Sequence, residues 1–236
     1  MRIWDIDAGF LNDKSLLGEH RELHGIVSIV RNHKTGYSMH PETRRWARFL
    51  DGLAVRHALL VEEMSLRGFK HHSPVCDSAP GIRWPSVYID EPVCQYEILQ
   101  QKYAGKDQGR IPLPRTIHDL WANHKYSVMA RNYNAYKKYG RLVAAKKIDF
   151  HRLSNELTAW MRSVPSSASL TNAVFHMWGY VSNMSSILPG EEDLPNVFRA
   201  IQAQAVTHEI IYLLHSTALG ELAYWCSKTR TRKTIP

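Results

Sequence analysis

Cysteine is scarce in this 236-residue chain, and its spacing suits no cysteine-based chemistry. Cys76, Cys94 and Cys226 are the three thiols, and no two of them form a CxxC pair. That excludes a disulfide framework and a cysteine-built metal centre, leaving three buried or inert thiols. Long apolar runs are also missing. None approaches the ~20 residues of a membrane span, and the N-terminus lacks a signal-peptide core. A soluble, cytoplasmic protein is expected, nucleoid-associated if it works on DNA. No segment alternates apolar and polar residues as a strand does, and there is no internal repeat or low-complexity tract. With 44% apolar residues, the chain has an ordinary supply for a globular core.

Acid is in short supply too. The chain carries 30 Lys and Arg against 22 Asp and Glu, a net charge of +8. Placement matters more than the total. Residues 1–75 hold 11 basic and 9 acidic side chains, whereas residues 100–153 hold 12 and 3. The latter block is interleaved with Tyr103, Trp121, Tyr126, Tyr133, Tyr136 and Tyr139. Cations that meet phosphates beside rings that stack on bases suit a polyanion. A solvated helical face is the alternative reading of the same charges. A basic tail follows Lys228.

What is present in quantity is helical periodicity. Asn12 and Asp13 are N-cap residues, and Leu16, Leu17, His20, Leu23, Val27 and Val30 then form one stripe. Pro41-Glu42 opens a second helix, whose stripe runs through Trp46, Phe49, Leu53, His57, Leu60, Val61 and Met64 to a stop at Gly68. Gly52 is the expected bend in it. Pro74, Pro80, Gly81, Pro85 and Pro92 then break regular structure, with one short helix expected from Glu91 towards Lys102. Everything from Leu120 onward reads as helix. The fold class is all-α, two helical units joined by a proline-rich linker. The boundaries are 1–75, a linker at 76–112, a second unit at 113–226 and a basic tail at 227–236.

The chain opens MRIWDID and continues LLGEHRELHG at 16–25. Arg-Ile beside the amine, followed about twenty residues later by Glu19, Arg21, Glu22 and Leu23 on the first helix, resembles the pyrimidine-dimer DNA glycosylase/AP lyase family. WARFLDGLAVRHALLVEEMSLRGF is similar to that family's second long helix. The resemblance covers roughly residues 1–75.

It implies a DNA repair enzyme that needs no cofactor and acts on double-stranded DNA bearing ultraviolet pyrimidine dimers or related lesions. The α-amine of Met1 would attack C1′ and form a Schiff base, and an α-amine at a pKa of ~7.7–8.0 is neutral more often than lysine at ~10.4. Glu22 would stabilise the developing positive charge and shuttle protons for β-elimination. Arg2 and Arg21 would hold flanking phosphates. Base flipping would open the way. Two departures stand out. Met1 occupies the amine position where the family exposes threonine, and Arg2, being large, should hinder removal of Met1. Gly25 stands where the family has an arginine that grips the lesion, and Lys14 and His24 are the nearby basic residues able to replace it.

His20 and His24 lie one helical turn apart, a metal-binding spacing, but no third ligand and no HExxH is evident, so no metal site is expected. His71-His72 in the linker are ambiguous. Farther on, LWANHKYSVMARNYNAYKKYGRLVA at 120–144 and SLTNAVFHMWGYVS at 169–182 resemble the uncharacterised YbgA-like helical domain, over roughly residues 113–226. In that half Lys125 and Arg141 are candidate DNA contacts, while His124, Tyr136, Asn172, His176 and Tyr180 could line a pocket or form a polar seam. Two alternatives to the enzyme are a non-catalytic damaged-DNA-binding protein and an enzyme acting on modified or thiolated nucleobases in RNA.

Overall fold

The computed structural model describes residues 1–75, 81–185 and 192–229. Among these there are helices and connecting segments and no strand. After a one-turn 3-10 helix at Ala8–Phe10 come α1 (Asp13–Arg31), α2 (Pro41–Trp46), α3 (Leu50–Leu66) and α4 (Pro92–Lys102). The C-terminal half carries α5 (Ile117–Met129), α6 (Tyr133–Ala144), α7 (Phe150–Met161), α8 (Ser167–Trp178), α9 (Leu194–Thr207), α10 (Ile211–Leu214) and α11 (Ala218–Thr229). The all-α expectation holds. No helix among the described residues is long and apolar enough to cross a membrane. Cys94 and Cys226 are unbonded. Cys76, Pro80 and the tail from residue 230 lie outside the described residues.

Local chemistry explains the helix starts. The Asn12 side chain accepts the Ser15 amide at 3.0 Å, and the Thr116 hydroxyl and Asp119 carboxylate close a capping box at the start of α5. Pro41 takes the first position of α2, where its missing N–H costs nothing. The single long helix expected from Pro41 is two helices. Its break falls at residues 47–49, not at Gly52. Gly52 serves a different purpose, since a Cβ there would sit 2.3 Å from the carbonyl oxygen of Arg83. The strap around Arg83, within the proline-rich stretch, thus crosses α3 at a glycine, where backbone can touch backbone.

Two hydrophobic clusters organise the helices. The first joins Ile3, Phe10, Leu23 and Leu60 to Tyr96 and Leu99 of α4 and to Leu120, Tyr139 and Leu153 of α5–α7. The second gathers Leu170, Val174, Phe198, Ile201 and Leu222, together with Val55 of α3. α3 packs against both α1 and α11, which is why its buried residues include Asp51, Arg56, His57 and Glu63 beside Leu53, Val55 and Leu60. Buried ion pairs tie these parts together. Glu63 of α3 takes Arg67 and Arg110, each at 2.7 Å, and Arg110 also donates to the carbonyls of Leu214 and Ser216. Arg131 and Glu221 form a two-pronged pair at 2.8 and 3.0 Å.

Candidate active site at the chain's first residues

The first residues belong to no helix, and each backbone N–H from Arg2 to Asp5 is matched by a side chain. Arg2 donates to Glu22 Oε2 at 2.5 Å, Ile3 to Glu42 Oε1 at 3.3 Å, Trp4 to Glu19 Oε1 at 3.2 Å and Asp5 to Gln95 Oε1 at 2.8 Å. Three carboxylates in succession hold a segment that helix periodicity alone would leave unexplained. Two of them are themselves secured by arginine. Arg56 grips Glu19 with two hydrogen bonds of 2.7 and 2.8 Å, and Arg45 holds Glu42 at 2.9 Å. Burial pushes the Glu42 carboxyl above the usual range, with Arg45 opposing that rise. Asp5 is clamped by Arg45 at 2.9 Å and by Arg162 at 2.5 Å.

The terminal nitrogen is therefore fixed by its neighbours. Ordinary bond lengths place it within about 7 Å of the Glu22 carboxylate, given the 2.5 Å bond at Arg2. It also lies 3.2 Å from His40 Nε2, while His40 Nδ1 accepts the Glu42 amide at 3.2 Å as the cap of α2. With Nδ1 accepting, the neutral imidazole carries its proton on Nε2, an assignment made from the hydrogen-bond pattern. Nε2 is then the ring nitrogen that faces the terminal amine. His40 is missing from the sequence-derived site, although its place just before Pro41 marks it as a cap.

The other expected DNA contacts fare unevenly. Arg21 and Lys14 are exposed on α1. Arg2 pairs with Asp90 at 2.7 Å and lies over the Trp4 ring, so a phosphate would have to displace Asp90. His24 faces a ring cluster of His20, His57 and His71. That corrects the expectation that the His20–His24 pair lacks further ligands: the third and fourth rings lie far along the chain, one in the stripe of α3 and one after it. Desolvation lowers His20 to about 4 and His57 to about 3, the neighbouring histidines adding to the fall.

In the C-terminal half Arg141 is exposed, whereas Lys125 is half-buried and lies 4.5 Å above the Tyr212 ring. The five residues of the expected second pocket do not converge. His124 is buried at the first cluster, stacked 5.6 Å from Phe10 with Nδ1 at the Leu120 carbonyl. Burial lowers it to about 4. Tyr136 stacks on Tyr133 of α6. Asn172 and His176 are exposed because that face of α8 turns outward instead of forming a seam, and Tyr180, past the end of α8, is exposed as well. Tyr180 instead meets Tyr126 and Tyr212.

The Glu22 carboxylate of α1 thus lies one residue along the chain from the terminal amine's own residue. Residues 1–77 match the pyrimidine dimer DNA glycosylase family. Residues 125–219 match a second family, described as a protein of unknown function (DUF1722). No curated protein and no solved structure matches the chain. The glycosylase-family segment thus ends just past α3, and most of the second hydrophobic cluster lies within the second family's span.

Proposed function

We propose that this protein is a DNA glycosylase with AP lyase activity on ultraviolet pyrimidine dimers or related base lesions, with Met1 supplying the nucleophilic amine. The amine of Met1 attacks C1′, and the N-glycosidic bond breaks with its electron pair leaving on the base. Loss of an amine proton and opening of the sugar ring give a Schiff base. Removal of a C2′ proton then expels the 3′ phosphate by β-elimination. Glu22 is the carboxylate for charge stabilisation and proton transfer. The observation that carries this reading is the hydrogen bond from the Arg2 amide to Glu22, one residue from the amine. Exposed Tyr37 and Met39 precede His40, and an aromatic and an apolar side chain there suit insertion into an opened base stack.

The two departures from the family pattern compensate each other. A Cβ on Gly25 would lie 3.9 Å from the Met1 sulfur, so the methionine side chain rests over the position of the missing arginine. A longer residue at 25 would run into Met1. Residues 1–75 are proposed as the catalytic unit, and 113–226 as the part that grips duplex DNA around the lesion.

Borohydride should trap the protein covalently on irradiated and on abasic duplex DNA, with intact-mass analysis placing the adduct on residue 1. Glu22→Gln should slow strand cleavage by roughly 100-fold or more. Absence of an adduct, or cleavage by Glu22→Gln at the wild-type rate, would falsify the assignment. Trapping on tRNA alone would favour the RNA-directed alternative.

A further inference from the structure

His20 and His24 lie one turn apart on α1, His57 faces them from α3, and His71 arrives from the segment after α3. Five pairs of these rings have centroids 4.7 to 5.1 Å apart. One ligand nitrogen from each lies within 4.8 Å of all the others. Hydrogen bonding does not account for the grouping. The Nε2 atoms of His20 and His71 are buried without a partner. The Nε2 atoms of His24 and His57 point at each other at 3.1 Å, so at most one of the two donates. Buried polar atoms left unpaired demand a partner, and a set of converging lone pairs is what a cation satisfies.

We propose that these four imidazoles bind one divalent transition-metal ion, with zinc as the ion of first choice. A tetrahedral zinc site with arms of ~2.0–2.1 Å has nitrogen–nitrogen edges of about 3.3–3.4 Å. The His24–His57 separation of 3.1 Å is already near that edge, and the rest of the set closes by small ring rotations. Four nitrogens and no carboxylate disfavour magnesium and calcium and suit zinc, nickel, cobalt or copper.

Four protein ligands fill a tetrahedral ion, which makes the site structural. It clips α1, α3 and the segment that follows α3. Glu22 sits two residues from each ligand on α1, and at about 100° per residue it faces nearly the opposite side from His20. The ion therefore steadies the helix that bears Glu22 and takes no part in the reaction.

Full-length protein without an affinity tag, purified without chelators, should carry about one zinc ion per chain by elemental mass spectrometry. After chelator stripping, zinc should raise Tm by several degrees, and cobalt should give the visible absorption of a tetrahedral site. His71→Ala, in a segment outside the helices, should lose both metal and response, while the adjacent exposed His72→Ala keeps both. Stripped wild-type protein that takes up no stoichiometric ion overturns the proposal, as does equal binding by the two variants. These readouts use no DNA, so their outcome is independent of the glycosylase assignment.

Discussion

His40 shows how one side chain can serve structure and chemistry together. Its Nδ1 is committed to capping α2, and that commitment decides which ring nitrogen is left to face the amine. Asp7 shows the opposite economy. Its carboxylate accepts the Gly9 amide at 2.8 Å and faces a cavity of about 30 Å³ walled by Trp4, Trp46, Trp84, Arg56 and Arg162. Burial, with the negative charge of Glu63 adding to it, pushes this carboxyl up to about 7. The folded state then holds a proton that the unfolded chain, at about 3.8, has released. Asp7 therefore costs stability as pH rises from about 4 to about 7, and the cost is complete above that. Asp7→Asn keeps the acceptor for Gly9 and removes the charge. Melting curves should show the variant equal to wild type near pH 4 and several degrees more stable at pH 8. Equal difference at both pH values would remove the buried charge as the cause.

At the scale of elements, the crossing of α3 by residues 81–84 is the sharpest constraint. The Arg83 amide donates to Asp51 at 2.8 Å, so the strap cannot lift away from Gly52 without losing that bond. The clashing atom is backbone oxygen, with no side chain to rotate aside. Gly52→Ala should therefore destabilise the protein by about 1–3 kcal/mol, although alanine is the better helix former. Denaturant unfolding checks this, and an alanine variant as stable as wild type would mean the strap yields freely. The break at residues 47–49 was illegible for a related reason. Periodicity carries through Trp46, Phe49 and Leu53, whereas the break serves contacts to a distant chain segment: Trp46 is buried and Arg45 reaches Asp5.

For the whole molecule, the basic block divides by use. Arg110 and Arg131 are drawn inside to neutralise Glu63 and Glu221, and such buried pairs serve geometry more than net stability. Lys137, Lys138 and Arg141 of α6 remain exposed, with Tyr133 also exposed under Lys137. Reversing all three to Glu should weaken binding to undamaged duplex DNA by at least ~10-fold and lower the salt slope by about 3. The melting temperature should stay near that of wild type. Unchanged affinity and slope would free the C-terminal half from DNA contact.

The all-α class, the cap at Asn12, the opening of a helix at Pro41, a short helix beginning next to Glu91 and the Glu22-bearing first helix were legible in the sequence. They follow from local rules, caps and a 3.6-residue period acting within a turn or two. The partners of those residues were not legible. That Glu19, Glu22 and Glu42 share out the amides of the first residues, that His57 and His71 join His20 and His24, and that His124 turns inward to Phe10 depend on contacts spanning tens of residues. Such contacts are chosen when the chain buries its apolar faces, and nearest-neighbour pattern carries no record of which distant residue will be brought alongside.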